Sequence, residues 1–159
     1  MNQADEIIAL LNRLLEVEYR SFAVYVLDAS PWVARGREQA AEVVRNIALD
    51  QQGMAERVAE EILARDGRVD TGDFPMEFTD THDLGLDYLV GQIIEGQHRD
   101  IAIIEQIVAR LAADPAAQDL AYEVLGSERA HLEALEEVAR SASQGGTSDV
   151  AAPAATAGV

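Results

Sequence analysis

Glu128 and His131 are the two residues of this chain whose types and spacing most clearly indicate chemistry. They belong to a series with alternating spacings of three and four residues, which is the pattern of the buried face of a helix. The series is Ala121, Val124, Glu128, His131, Leu135 and Val138. A buried carboxylate or imidazole is costly unless a partner stabilises it. A metal ion is the most direct candidate, because side chains three residues apart on a helix point the same way.

Three further ionisable residues have helical spacings that place them in the same site. Glu95 and His98 repeat the carboxylate-then-imidazole spacing earlier in the chain. Glu18 lies within another helical series, whose other members are Leu11, Leu14, Ser21, Phe22 and Tyr25. We therefore predict that Glu18 is buried in the site rather than exposed as an ordinary acid. The remaining histidine, His82, is close to a predicted helix start and is expected at the surface.

Four long helices are required to position these residues, and Pro, Gly and capping residues mark their ends. The predicted helices cover residues 4–28, 36–67, 81–112 and 114–141. Residues 70–81 contain turn-forming residues and are predicted to cross over between helices two and three, with Phe74, Met76 and Phe78 packed on the bundle. Two short turns and one crossover predict an all-α, up-down four-helix bundle.

Length and composition favour one domain. The chain has 159 residues, of which 48% are hydrophobic, so it can form a sizeable core. We predict that residues 1–141 form the bundle. Residues 142–159 are rich in Ala, Gly, Ser, Thr and Pro and are predicted to be a disordered tail.

The charge balance excludes several classes of partner. With 29 acidic and 12 basic residues, the formal charge of −17 repels nucleic acids and anionic membranes and attracts cations. The absence of cysteine excludes disulfides, thiolate catalysis and iron–sulfur ligation. The polar, acidic start does not resemble a signal peptide, and no apolar run approaches the roughly 18 residues of a membrane span. We expect a cytoplasmic protein without nucleic-acid or membrane partners.

The two halves of the chain show a common spacing. Glu18 and Glu95 each lie 33 residues before the first member of a later pair with i, i+3 spacing. These pairs are Gln51 with Met54 in the first half and Glu128 with His131 in the second. Each half is therefore predicted to be a helix pair that presents a glutamate opposite two polar or soft side chains.

The sequence resembles the ferritin-like superfamily and is most similar in register to bacterioferritin. The similarity covers about residues 2–141 and includes the stretch Leu11–Leu15, Glu18 and Tyr25. This family holds two bridged iron ions with a glutamate from each of two helices and a Glu-x-x-His motif from each of the others. The resemblance implies that Glu18 and Glu95 are terminal ligands. It also implies that Glu128 is a bridging carboxylate and His131 a histidine ligand.

Several positions depart from the family pattern. Gln51 and Met54 replace one bridging carboxylate and one imidazole. Gln52 stands where bacterioferritin has its haem-ligating methionine, so no haem is expected. The tail replaces the short fifth helix that helps to close a 24-subunit cage. Rubrerythrin-like members have a second ligand at the i+3 position of helix three, which implies that His98 replaces the missing histidine.

Three functions remain open at this point. The first is an iron oxidoreductase of the ferroxidase or peroxidase type, with Tyr25 as a catalytic electron or hydrogen-bond donor. Its metal ligands would be Glu18, Glu95, His98, Glu128 and His131. The second is a non-catalytic bundle with one structural ion. The third is an assembly or interaction protein, in which a buried hydrogen-bonded network without metal is formed by Gln51 with Glu95, His98, Glu128 and His131.

Metal identity and oligomeric state are broader expectations. Mixed carboxylate and imidazole ligation is compatible with iron, manganese or zinc. By resemblance the chain forms a homodimer or small homo-oligomer along helices one and two, with Tyr19 and Trp32 contributing to the interface.

Overall fold

The computed structural model describes residues 1–81 and 84–145. These residues form five α-helices: α1 (Gln3–Tyr19), α2 (Phe22–Ala29), α3 (Glu38–Ala64), α4 (Leu86–Arg110) and α5 (Pro115–Gly145). A short 3-10 helix, Met76–Thr81, lies in the connection between α3 and α4. The predicted all-α bundle is confirmed for this part of the chain. None of the helices found there is long and apolar enough to cross a membrane.

Two sequence predictions fall wholly or partly outside the described residues. The surface position predicted for His82 lies outside them. The predicted tail begins inside α5, because that helix continues to Gly145. Its remaining residues, 146–159, also lie outside the described part of the chain.

The first predicted helix is in fact two helices, because the helix is interrupted between Tyr19 and Phe22, where Ser21 caps the second one. The Oγ atom of Ser21 accepts a hydrogen bond from the Val24 backbone N–H at 3.1 Å and thereby caps α2. The same hydroxyl donates to Gln51 Oε1 at 2.6 Å, which anchors the cap in the bundle core. The prediction of one continuous helix was wrong. Apolar periodicity continues through the break and does not reveal a cap formed by a core-facing serine.

Two helix pairs form the bundle. Helix α1 packs along α3, α4 packs along α5, and contacts between α3 and α5 join the pairs. Buried apolar residues form two clusters at different heights of the bundle. Along α3, α4 and α5, and along α1 together with α2, one polar residue lies in the sequence between the parts that enter the two clusters. These residues are Glu18, Gln51, Gln97 and Glu128.

The crossover is attached to the bundle through aromatic side chains. The Phe78 ring centroid lies 4.7 Å from that of Phe22, and the Phe74 centroid lies 5.8 Å from that of Tyr25. Met76 is 70% exposed, so the prediction that it packs on the bundle was wrong. The 3-10 helix that begins at Met76 turns this side chain outward, whereas Phe78 takes the inward position.

The starts of the last two helices differ in how well the sequence predicted them. Helix α4 begins at Leu86 rather than near Thr81, and Thr81 is instead the last residue of the 3-10 helix Met76–Thr81. Helix α5 begins at Pro115 as predicted. Asp114 caps it by accepting a hydrogen bond from the Ala117 N–H at 3.0 Å. Arg65 donates to both carboxylate oxygens of Asp114 at 3.0 Å and joins the end of α3 to the start of α5.

Candidate functional site

A group of polar side chains lies at mid-bundle, between the two apolar clusters. We call this group the polar centre. Its members are Glu18, Gln51, Gln97, Glu128 and His131. All five are buried, and Glu18 and Glu128 are fully so, with 0% exposure. The predicted burial of Glu18, Gln51, Glu128 and His131 is therefore confirmed, whereas Gln97 was not predicted.

Glu128 is the main hydrogen-bond acceptor of the polar centre. Gln51 Nε2 donates to Glu128 Oε2 at 3.0 Å. Gln97 Nε2 donates to the same oxygen and also to the Glu128 backbone carbonyl at 3.1 Å. His131 Nδ1 lies 3.1 Å from the other carboxylate oxygen, Oε1. Because both oxygens have donors, a negative charge on Glu128 is stabilised by the protein itself.

His131 lies between two carboxylates. Its Nδ1 faces Glu128, and its Nε2 lies 3.1 Å from Asp50 Oδ2 and 3.4 Å from Ser127 Oγ. Burial by itself lowers the pKa of His131, but the hydrogen bonds and charges of Glu128 and Asp50 outweigh it and raise this pKa above its ordinary value. A protonated His131 can therefore offset the buried charge of Glu128.

Glu18 is in a different situation. Neither of its carboxylate oxygens accepts a hydrogen bond from any residue that the structure describes. Burial, followed by the charge and hydrogen bonding of the neighbouring Glu128, raises the pKa of Glu18 well above its ordinary value. A protonated Glu18 can donate a hydrogen bond towards Glu128, which gives both groups a partner. A proton or a cation between these carboxyl groups would supply the partner that the buried oxygens of Glu18 lack.

Asp100 is an acidic residue near the polar centre that the sequence did not lead us to predict. It lies three residues after Gln97 on α4, and burial together with the charge of Glu128 raises its pKa to about 7. It borders a cavity of about 250 Å³ that is also lined by Arg13 and Arg99. A signal for it existed, because Gln97 and Asp100 continue the helical series of apolar residues on α4. Those residues are Leu86, Leu89, Val90, Ile93, Ile104 and Ile107.

Glu95 and His98 do not reach the polar centre. Both are exposed, and the His98 side chain is 60% exposed with Nε2 3.8 Å from Glu136 Oε1. The prediction that they face inward was wrong. Gln97 lies opposite Glu128 at a separation of 31 residues, not the 33 on which the prediction relied. The apolar residues of α4 fix this orientation, because they must face the core.

Tyr25 and Met54 lie outside the polar centre. The Tyr25 ring on α2 packs against Phe74 and Phe78, with centroid distances of 5.8 and 5.3 Å. Tyr25 and Ser21 line a common cavity, and the Ser21 hydroxyl contacts Gln51 of the polar centre. A catalytic role for Tyr25 stays a prediction. Met54 is half-buried and packs against one apolar cluster.

The set of donors at the polar centre limits what it can bind. It contains two carboxylates, two amides and one imidazole. Across residues 1–81 and 84–145, no three or more His, Cys, Asp or Glu side chains are grouped in a way that could hold a metal ion. Binding of a metal ion at the centre would therefore require Glu128 to lose some of its present hydrogen bonds. The ligand roles of Glu18, Glu128 and His131 stay predictions.

Comparison with known proteins gives a match at the level of a protein family. The family model for ferritin, described as a ferritin-like domain, matches residues 8–144. This range includes all members of the polar centre. No curated protein matches the chain.

Proposed function

The chain belongs to the ferritin-like family, and we propose that it is a non-catalytic member that lacks the two-iron centre and acts as an assembly or interaction protein. One observation carries this proposal. The amides of Gln51 and Gln97 both donate to Glu128 Oε2, and these amides come from α3 and α4, two of the helices from which this fold supplies carboxylate ligands. An amide supplies no negative charge, and the carboxylate oxygen that accepts both amides is already engaged.

The charges of the polar centre do not fit two metal ions. Two divalent ions bring four positive charges, whereas Glu18 and Glu128 supply two negative charges and the amides supply none. The imidazole of His131 is neutral when it binds a metal. An excess of two positive charges would then remain in an apolar core, where uncompensated charge is strongly unfavourable. The donors present therefore do not fit the two-iron group, and no two-iron reaction is assigned to this chain.

A proton can take the place of the metal. With Glu18 protonated, Glu128 negative and His131 positive, the polar centre carries no net charge, and the raised pKa values of Glu18 and His131 favour this state. Every carboxyl and amide group then has a hydrogen-bond partner. Such a network stabilises the bundle without metal, and the function then depends on the surface of the bundle.

A second candidate function is the binding of one divalent ion without two-iron chemistry. The observation that favours it is the absence of any hydrogen bond to the buried oxygens of Glu18 among the described residues. The residues that would hold the ion are Glu18, Glu128 and His131, whose two carboxylates balance one divalent charge. Iron, manganese and zinc all accept such oxygen and nitrogen ligands. Bound there, the ion would supply a structural cross-link between α1 and α5.

The two candidates and the family's usual centre differ in metal stoichiometry. The protein is loaded anaerobically with ferrous iron, desalted and analysed for metal. We expect no retained iron for the hydrogen-bonded network, and one ion per chain for the second candidate. Two ions per chain would overturn both proposals. The matched control is the triple variant Gln51→Glu, Met54→His and Gln97→Glu, which restores the missing donors and should retain two ions.

We further propose that the chain forms a homodimer and is located in the cytoplasm. Tyr19 and Trp32 support the first part, because they are 46% and 73% exposed and large exposed aromatic residues are typical of interfaces. Sedimentation equilibrium tests it, since Trp32→Ala and Tyr19→Ala should shift a dimer towards monomer. A wild-type protein that is monomeric at high concentration would contradict the dimer. Cell fractionation tests the location.

A further inference from the structure

A cavity of about 180 Å³ lies where the junction of α1 and α2 meets the crossover. Its wall contains charged, polar and aromatic side chains, namely Arg20, Ser21, Tyr25, Asp28, Phe74 and Phe78. We propose that this cavity binds a small zwitterion with an aromatic or apolar side chain, of the chemical class of a free amino acid. The proposal does not depend on whether the polar centre holds a metal ion.

Aromatic side chains form the apolar part of the cavity wall. The rings of Tyr25 and Phe78 are tilted by 39°, and those of Phe74 and Phe78 by 86°. Tyr25 also stacks on Phe22, with a centroid distance of 6.1 Å and an interplanar angle of 11°, so the packing of these rings fixes the apolar wall in place. This wall therefore suits an apolar side chain and contributes no charge of its own.

Arg20 provides a positive charge at a fixed position. Its Nε donates to the Thr71 carbonyl at 3.1 Å, and its Nη2 donates to the Gly72 carbonyl at 3.2 Å. The guanidinium carbon also lies 4.9 Å from the centroid of the Tyr19 ring. All of these partners are neutral, so they hold the guanidinium in place without cancelling its charge. A ligand carboxylate can supply the missing negative partner.

Asp28 provides a negative charge in the same cavity wall. It is exposed and has no hydrogen bond or ion pair with any residue that the structure describes. In particular, no described ion pair joins it to Arg20. Opposite charges that line one small cavity without pairing match a ligand with both charges. A ligand ammonium would contact Asp28, while its carboxylate would contact Arg20.

The charge of the whole chain favours a zwitterion over a simple anion. A formal charge of −17 repels free carboxylates, whereas a ligand with no net charge approaches without this penalty. A simple cation is attracted to the surface but would place its charge near Arg20. The cavity is therefore expected to prefer a molecule with both groups over a molecule with either one.

Ser21 gives this cavity a spectroscopic reporter. Ser21 lines the cavity, and its hydroxyl donates to Gln51 Oε1 at 2.6 Å, so a bound molecule should change the environment of Ser21 and, through this hydrogen bond, that of Gln51. Chemical-shift changes in a two-dimensional NMR spectrum should therefore be centred on Ser21, Val24 and Tyr25. Changes spread over the acidic surface would instead indicate non-specific association and would overturn the proposal.

The test uses the full chain and three related probes. These are L-phenylalanine, 3-phenylpropionate, which lacks the ammonium group, and phenethylamine, which lacks the carboxylate. Titration calorimetry should give a dissociation constant for L-phenylalanine on the order of 1 mM or tighter, as expected for a ligand of this size. The two analogues should bind about tenfold more weakly. Equal binding of all three probes, or no binding of L-phenylalanine, would overturn the proposal.

Two variants assign the charges. Asp28→Asn should weaken L-phenylalanine binding by about tenfold and leave 3-phenylpropionate binding unchanged. Arg20→Gln should weaken both, while Arg13→Gln, which removes an arginine that does not line this cavity, is the matched control. If Arg20→Gln does not fold, Asp28→Asn and the two analogues still test whether the cavity prefers a zwitterion. Unchanged L-phenylalanine binding in Asp28→Asn would overturn the role of the negative charge.

Discussion

The substitution Glu18→Gln tests whether the polar centre holds a proton. Glutamine has the shape of a protonated glutamic acid and can donate towards Glu128, but it cannot ionise. The raised pKa of Glu18 means that the folded state holds a proton that the unfolded chain releases above about pH 4.5. The stabilisation of the wild-type protein by this proton is complete below that pH. It is lost as the pH rises towards the pKa of Glu18 in the folded protein.

The expected magnitude follows from the number of protons. One additional proton in the folded state makes the free energy of unfolding fall by about 1.4 kcal/mol per pH unit within this window. The variant lacks this dependence. The variant should therefore gain about 1.4 kcal/mol in stability relative to the wild type from pH 5 to pH 6. Asp100 and His131 also titrate, but both are present in the two proteins and cancel to first order in the difference.

Urea denaturation at a series of pH values, with chelator present, measures this difference directly. Glu16→Gln is the matched control, because it removes a carboxylate from the same helix at a partly exposed position paired with Arg13. It should show the wild-type slope. A difference between Glu18→Gln and wild type that stays constant from pH 5 to pH 7 would refute the reasoning. In that case Glu18 would be ionised or neutral in both states over the whole range.

Three further predictions concern neighbouring groups. Glu128→Ala should reduce the free energy of unfolding by about 4–6 kcal/mol, because it leaves buried donors of Gln51, Gln97 and His131 without an acceptor. Glu128→Gln should reduce it by only about 1–2 kcal/mol, and chemical denaturation of both variants measures the two values. Asp100→Asn should stabilise the protein by about 2–4 kcal/mol at about pH 8 and have little effect at about pH 4. The reason is that the pKa of Asp100 is raised to about 7, so its stabilising proton is lost as the pH rises through that value. Equal changes in the free energy of unfolding at both pH values would contradict this prediction. Dioxygen consumption after addition of ferrous iron should be the same for wild type and Glu128→Gln; an oxygen electrode measures it, and a rate lost only in the variant would contradict a non-catalytic centre.

Much of the fold was predictable because helix periodicity is a local signal. Spacings of three and four residues predicted the buried positions of Glu18, Gln51, Glu128 and His131, and the Asp114–Pro115 pair predicted the start of α5. These features depend on residues within one or two helical turns. The family match is consistent with this, since the arrangement of four long helices with a crossover is typical of the family.

The register of α4 could not be obtained from the spacing used. Equal separations of 33 residues suggested that the two halves are equivalent, but the first half contains a break at Ser21 and a connection at residues 30–37. The second half has only the short turn at residues 111–114. The apolar residues of α4 were the better guide, because burying them fixes which face points inward. They place Gln97 rather than Glu95 opposite Glu128.

The interactions within the polar centre required the tertiary structure. That Glu128 accepts hydrogen bonds from two amides depends on the relative positions of α3, α4 and α5. The partner of His131 Nε2, Asp50, lies 81 residues away in the sequence and on another helix. No local pattern encodes such contacts, so the sequence identified most members of the site without indicating which of them form hydrogen bonds with one another.

Hydrogen bonds and a proton shared between Glu18 and Glu128, rather than two metal ions, stabilise the polar centre of this bundle in our proposal. Anomalous diffraction at the iron edge, from crystals soaked anaerobically in ferrous iron, tests it most directly. We predict no anomalous peak among Glu18, Gln51, Gln97 and Glu128. One peak bounded by Glu18, Glu128 and His131 would select the single-ion candidate. Two peaks about 3.5–4 Å apart would contradict the claim, because that separation is typical of two-metal centres.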